Sequence, residues 1–480
     1  MALFGKTKKR EAPTRKPPKP KLKKKEKAPE DDPILIPLKP DPPGAPPQRG
    51  FIASELASTM RLQLKVADNL RQRVLAPDLP LDMPLERTDE REQVARKAVE
   101  DLIQGGRIKV PNTIKQPLFI DNVLNEIFGY GPIEPLIEAD DVSEIMVNGP
   151  FIIFIERKGK IVESGHKFLN DNHVERIVAR IVKPLGRRAN SDEPLIDARL
   201  PDGSRVNSVI RPCALDGPNI TIRKFSKDKL KMEDLINFGS LTSNMARFLE
   251  ALVVSRRNIV VSGGTGSGKT TLINVLSAFI PEHERTVTIE DAAELQFKQR
   301  NVVRLETKKP TPDSPTEISI RDCVVNALRM RPERIVIGEC RSGEALDMLQ
   351  AMNTGHDGSM TTVHSNSPRD CISRLETLVL MAGVDLPLTT VRRQISSAVH
   401  FIVQASRLRD GSRKVTYITE VQGMEGDIVT LTDIFKFHDT GDTSDGKVDG
   451  IHQATGIRPK SDYILRQNGF NLPATFFFKD

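Results

Sequence analysis

Tryptophan is absent from these 480 residues, tyrosine occurs three times and cysteine four times. With so few of the flat rings on which single-stranded nucleic acid stacks, the chain is poorly equipped as a nucleic-acid motor, and nucleic acid is not an expected partner. The cysteines, Cys213, Cys323, Cys340 and Cys371, are widely spaced and form no C-x-x-C pair. That pattern excludes a zinc module and a disulfide framework and implies reduced thiols. No stretch approaches the roughly 18 consecutive apolar residues of a membrane span, and the basic N-terminus lacks the apolar segment of a secretory signal. A cytoplasmic location is the expectation. No internal repeat is found.

The residues that are present speak first through charge. The net charge is +7, but residues 1–30 hold twelve Lys/Arg against three Asp/Glu, so the other 450 residues sum to −2. The basicity belongs to a tail. Residues 1–50 also hold 12 of the 34 prolines. Such a composition cannot bury enough apolar surface to offset chain entropy, and the segment is expected to be disordered. Three readings of it stay open: a solvated tail, a contact with anionic lipid or an acidic partner at a membrane, and nucleic acid.

Four further segments make up the rest. Residues 51–138 carry helical periodicity, with Leu56, Met60, Leu64 and Ala67 near one face, and read as a helical bundle. Residues 139–226 hold short strands ("SEIMVNG", "FIIFIERKGK", "SRVNSVI", "NITIRKF") around one helix, an α+β domain. Residues 227–239 read as a hinge. From 240 onward strands and helices alternate to about Ile434, the pattern of a parallel sheet with helices on both faces.

Within that last segment Gly263, Gly268, Lys269 and Thr270 match G-x-x-x-x-G-K-[ST], between a β-branched run, Asn258–Ser262, and a helical stretch, Thr270–Ile280. Gly263, Gly264, Thr265, Gly266, Ser267 and Gly268 form a loop whose N–H groups can surround phosphates. Lys269 reaches the β and γ phosphates, and the Thr270 hydroxyl, followed by Thr271, can ligate magnesium. A P-loop hydrolase also needs a carboxylate for the magnesium shell, a group that activates water, and a cation for the charge that develops on the γ-phosphate. "RIVIGECR" (Arg334–Arg341) is an apolar strand with Glu339 at its end, suited to the magnesium shell. "TVTIEDAAEL" (Thr286–Leu295) places Glu290 at a strand end, a candidate to activate water, although solvated acidic turns are common. "TGHDGSMTTVHSNS" (Thr354–Ser367) carries His356 and His364. A metal pair lacks a third ligand there, which leaves a γ-phosphate sensor or hydrogen-bonded core histidines.

The order of P-loop, acidic box, "VIGECR" and "GSMTTVHSNS" resembles the secretion ATPases that drive type II secretion, type IV pili and type IV secretion. "SEIMVNGP", "PLIDARLPDGSRVNSVI", "ITIRKF" and "RMRPERIVIGECRSGEALDMLQAMNTGHDGSMTTVHSNSPRD" are similar to the CpaF/TadA branch, the motor of tight adherence pili. The tetracysteine module of many general secretion motors is missing, which favours the pilus or type IV secretion side. The resemblance implies an α/β fold with a RecA-like C-terminal ATPase domain behind a PAS-like α+β domain, assembled as a homo-hexamer. It implies ATP and Mg2+, the latter at Thr270 and Glu339 partly through water. It implies nucleotide contacts from His356, catalytic roles for His364, Glu290 and Glu339, and a site spanning two domains in which Arg199, Arg205 and Arg223 reach the phosphates. The implied partner is an inner-membrane pilus platform at its cytoplasmic face. A type IV secretion or conjugation ATPase is the near alternative, a nucleic-acid motor and a non-hydrolysing nucleotide switch the remoter ones.

Overall fold

The computed structural model describes residues 52–157, 159–225, 230–310, 314–444 and 446–478, all within one compact unit. The basic tail and the first residues of the expected hinge, 227–229, lie outside the described residues.

Three helices open the described chain, Ser54–Leu70, Asp89–Gln104 and Gln116–Phe128. The second starts where the sequence dictates. Thr88 accepts the Arg91 N–H through its hydroxyl at 3.3 Å, and Asp89, Glu90 and Glu92 crowd the first turn, where a helix dipole favours negative charge. Val66, Leu70, Val99, Phe119, Val123 and Ile127 close a small apolar core between these helices.

Next in the chain come six antiparallel strands: β1 (Val142–Asn148), β2 (Ile153–Arg157), β3 (Lys160–Glu163), β4 (Leu195–Arg199), β5 (Arg205–Val209) and β6 (Asn219–Arg223), in the order β3-β2-β1-β6-β5-β4. Alternation along them buries Ile145, Val147, Ile153, Val206, Ile220 and Ile222 on one face, against Val174, Ile177 and Ile181 of the helix Asp171–Val182. That helix also faces the N-terminal helices. Arg176 pairs with Asp68, and the buried Arg180 donates to the carbonyls of Glu126 at 3.0 Å and Leu81 at 3.2 Å. The bundle and the six-stranded sheet are therefore joined through buried charge as well as through chain connectivity. The opposite face of the sheet is polar, carrying Glu144, Asp197, Arg205 and Arg223.

A nine-stranded sheet fills the rest: β7 (Ile259–Gly263), β8 (Thr286–Glu290), β9 (Val302–Glu306), β10 (Arg334–Ile337), β11 (Met360–Val363), β12 (Phe401–Arg407), β13 (Arg413–Glu425), β14 (Ile428–Asp442) and β15 (Val448–Ala454). Its order is β15-β14-β13-β12-β7-β11-β10-β8-β9, with β9 to β12 parallel. Strands β7, β8 and β10 are buried along their whole length, as their continuous β-branched runs require of a sheet covered on both faces. Ile259 and Val261 pack with the helices Ser243–Val254 and Lys269–Ser277, while Val260 packs with helices on the other face. This is a mixed α/β, RecA-like arrangement.

One difference from the sequence reading concerns the far side. Strand–helix alternation ends at β12 rather than near Ile434, because β13, β14 and β15 form an antiparallel meander. Tight turns at Leu408–Ser412 and near Gly426 join β12 to β13 and β13 to β14, and a parallel return would need a crossover of about a dozen residues or more. The C-terminal segment then folds back, and Phe476 and Phe477 pack among Phe248 and Phe435.

Candidate nucleotide site

The central strand β7 is flanked by β11 and β12 and ends at Gly263, so the loop beyond it opens at the carboxyl end of the parallel strands, where ligands bind on such sheets. Gly268 caps the helix Lys269–Ser277 with φ +93°, a conformation that favours glycine. The loop therefore turns directly into a helix N-terminus, where free N–H groups favour anions.

Lys269 is 8% exposed and lies folded against its own loop, its Nζ donating to the carbonyls of Gly263 at 3.0 Å and Gly264 at 3.1 Å. Burial lowers its pKa from the usual lysine value. At 3.2 Å stands Nε2 of His364, which is also 2.8 Å from Oε1 of Glu339. Burial and then the Lys269 charge lower the His364 pKa, against the pull of Glu339. Glu339 lies two residues beyond β10 and pairs with Arg341 Nε at 2.6 Å.

Glu290 ends β8 and is 3% exposed. Its Oε1 accepts the N–H groups of Glu294 at 2.8 Å and Leu295 at 3.0 Å, whereas its Oε2 is buried without a hydrogen-bond partner. Burial raises its pKa above the ordinary carboxylate value. Gly338 is tied to it, since a Cβ there would fall 2.8 Å from the Glu290 Cγ.

These groups border one cavity of about 790 Å3, lined by Thr265–Thr271, Glu290, Glu339 and His364 together with Arg205 and Arg223 from the six-stranded sheet. Arg205 bridges the two sheets, reaching Glu294 at 2.9 Å and the Ala292 carbonyl at 2.7 Å. Arg223 is held by Glu144 at 2.9 Å. A second cavity of about 300 Å3 adjoins Gly268 and Thr271 and is lined by Leu230, Leu235, Phe238 and Ala405. Gly263 and Gly264 touch the site through the carbonyls that hold Lys269.

Two of the sequence expectations are not brought in. Arg199 pairs with Glu306 of β9 at 3.1 Å and does not line the cavity. His356 lies at the other end of β11. It precedes the strand while His364 comes after it, its Nδ1 is 3.2 Å from the Ala351 carbonyl, and its own carbonyl accepts the Ser359 hydroxyl at 2.7 Å. A nucleotide on the loop is out of its reach. The two histidines share a motif, but a full strand separates them. Conversely, Arg407 and Arg413 line the cavity, although no phosphate motif marks them in the sequence. Their signal is the basic turn "SRLRDGSRK", which becomes relevant only once β12 is known to lie beside β7.

Among the described residues no group of three or more His, Cys, Asp or Glu is gathered to hold a metal on protein ligands alone. The donors around the loop, the Thr270 hydroxyl and the carboxylates of Glu339 and Glu290, are all oxygen, and one Glu290 oxygen is unsatisfied. That set fits a hard divalent cation sharing its shell with phosphates.

A phosphate-binding loop at the carboxyl edge of a parallel sheet, with strand-end carboxylates facing it, defines a P-loop nucleotide-binding protein. More specifically, residues 126–429 match the type II/IV secretion system protein family, and the chain belongs to it. A putative conjugal transfer protein of Mycobacterium tuberculosis is 31% identical over 313 residues, 64% of this chain and 88% of that one. The conjugal transfer protein TrbB of Rhizobium radiobacter is 34% identical over 286 residues, covering 59% and 84%. An uncharacterized protein of Methanocaldococcus jannaschii is 44% identical over 239 residues, 48% of this chain but only 33% of its own length.

Proposed function

We propose that the chain is an ATP-hydrolysing motor that assembles, as a homo-hexamer at the cytoplasmic face of the inner membrane, with the platform of a tight adherence pilus. The observation that carries the hydrolytic part is the single cavity in which Lys269, Glu290, Glu339 and His364 face the P-loop. In this reading the apolar 300 Å3 cavity takes the base and the larger one the phosphates.

On binding, Lys269 exchanges two neutral loop carbonyls for the anionic β and γ phosphate oxygens, so that both partners of the contact are charged. Glu290, through its unpaired Oε2, accepts a proton from the attacking water as the bond from the γ-phosphorus to the bridging oxygen breaks, giving ADP and phosphate. Its raised pKa suits a group that must take up that proton. Thr270 and Glu339, partly through water, would hold a magnesium ion, which would supply neutralisation of charge on the phosphates. His364, between Lys269 and Glu339, is placed to sense the γ-phosphate. Arg205 and Arg223 line the phosphate cavity from the six-stranded sheet and carry the event to it through the carboxylates that hold them.

A conjugation or type IV secretion motor is the second reading, favoured by the two relatives named for conjugal transfer. Disruption of the gene separates the two: loss of surface pili supports the first, loss of DNA or protein transfer the second. Hydrolysis itself is tested on the purified full chain by phosphate release. We expect turnover that Lys269→Ala abolishes, and equal rates in the two proteins would overturn the proposal.

A further inference from the structure

Strand β12 runs parallel to β7 with Ala405 opposite Gly263, and a Cβ on Gly263 would fall 2.3 Å from the Ala405 carbonyl oxygen. The chain leaving Ala405 must therefore emerge beside the phosphate-binding loop that leaves Gly263. That emerging segment is a turn carrying three arginines, Arg407, Arg409 and Arg413. Arg413 Nε donates to the Gly266 carbonyl at 2.9 Å, and its Cδ lies 3.4 Å from where a Gly268 Cβ would be. Arg407 extends the other way, its Nη2 donating to the carbonyl of Gly159, in the β2–β3 turn of the six-stranded sheet, at 3.2 Å. Its Nη1 lies 3.5 Å from where a Gly266 Cβ would be.

The arginines around this cavity fall into two electrostatic classes. Arg205, Arg223 and Arg341 each have a carboxylate partner, Glu294, Glu144 and Glu339 respectively. So does Arg409, held outside the cavity by Asp439 and Asp442. Arg407 and Arg413 have only neutral carbonyl partners, and among the described residues neither makes an ion pair. A guanidinium on a carbonyl gains by exchanging it for phosphate, because the anionic oxygens add direct charge attraction and can be met by the planar fork in pairs. A guanidinium already on a carboxylate gains far less from the same exchange.

We propose that Arg407 and Arg413 are phosphate-binding residues of the nucleotide site, supplied by the same chain, and that Arg407 is also a latch. Without nucleotide it ties the phosphate-loop side of the molecule to the β2–β3 turn at Gly159. A bound polyphosphate takes the guanidinium and frees that turn. The proposal rests on the nucleotide-binding reading above and adds to it the groups and the movement.

The test measures binding of a fluorescent ADP to the full chain and to Arg407→Gln, Arg413→Gln, Arg409→Gln and Lys269→Ala. All three arginines are exposed on one turn, and circular dichroism checks that the variants fold. Arg407→Gln and Arg413→Gln should each weaken binding about tenfold or more, and Arg→Lys at either position should recover part of it. Arg409→Gln, which removes the same charge from the same turn, should stay within about twofold. Hydrogen exchange adds a second readout: nucleotide should speed exchange at residues 159–163 in the unaltered chain, and Arg407→Gln should show that faster exchange without nucleotide. Unchanged binding in both Arg407→Gln and Arg413→Gln, or equal loss in all three arginine variants, would overturn the proposal while Lys269→Ala still weakens binding. If Lys269→Ala also binds normally, the nucleotide reading itself fails.

Discussion

The two ends of the nine-stranded sheet are built from similar residues and treat them in opposite ways. At the carboxyl end of the parallel strands, Lys269, Arg407 and Arg413 rest on neutral carbonyls, and a buried Glu290 oxygen has no partner. At the amino end, two fully buried polar side chains are held by partners within the fold itself. Arg334 is fully buried, pairs with Glu284 and donates to the carbonyls of Val253 and Gly358. Asn258, also fully buried, accepts the N–H groups of Gly358 and Ser359 and donates to the Ala398 carbonyl. An unsatisfied buried polar group costs about 1–3 kcal/mol, so the unpaired Glu290 oxygen, facing a cavity rimmed by cations on neutral carbonyls, marks the edge at which a ligand is expected. The difference separates a site from a foundation, although local sequence at both ends is rich in charge and glycine.

If that contrast is right, removing charge at the two ends should have different consequences. At the carboxyl end the largest effect is expected from Glu290→Gln, which should lower ATP turnover by about 10²- to 10⁴-fold, the range for loss of a general base, while leaving nucleotide affinity and thermal stability nearly unaltered. Turnover within a few fold of the parent would remove Glu290 from the chemistry. At the amino end Arg334→Met should do the reverse. It strands the buried Glu284 carboxylate, 3.6 Å from Arg256, and should cost about 3–5 kcal/mol of stability in denaturant unfolding. The remaining folded protein should turn over ATP normally.

A smaller effect sharpens the contrast through pH. Burial lowers the pKa of His400, which accepts the Asn258 N–H at 2.9 Å, to about 4, and it does the same to His452. Each stays neutral in the folded chain below the ordinary histidine value of 6.5, whereas the unfolded chain takes up the proton. The stabilising contribution is thus complete above about pH 6.5 and is lost as pH falls from there toward about 4. Thermal midpoints should be flat from about pH 8 to about 7 and decline below about 6.5, and His400→Gln should lower the plateau but flatten the decline. A decline equally steep in that variant would assign the acid sensitivity elsewhere.

The share of this that the sequence makes legible depends on the range of the interactions. The strand and helix around the P-loop, read as 258–262 and 270–280, are Ile259–Gly263 and Lys269–Ser277, because a β-branched run, a glycine loop and an apolar-periodic stretch are local signals. Glu290 and Glu339 could be placed for a similar reason, as carboxylates closing apolar runs. Arg407 and Arg413 could not, since their place beside Gly266 depends on β12 pairing with β7 about 140 residues earlier, which no local pattern encodes. The antiparallel β13–β15 meander was likewise hidden by strands that alternate much as the parallel ones do. His356 shows the opposite fault: a shared motif suggests a shared site, but the strand between the two histidines carries them to opposite edges of the sheet.

That pair offers the most direct test. His364 and His356 flank β11, one at each end, so ATP turnover and thermal midpoint measured side by side for His364→Gln and His356→Gln compare the two edges on a single strand. The expected result is a turnover loss of about tenfold or more for His364→Gln with an unchanged midpoint, and unchanged turnover per folded molecule for His356→Gln. Equal turnover losses in the two variants, or a loss confined to His356→Gln, would contradict the assignment of the chemistry to the carboxyl edge.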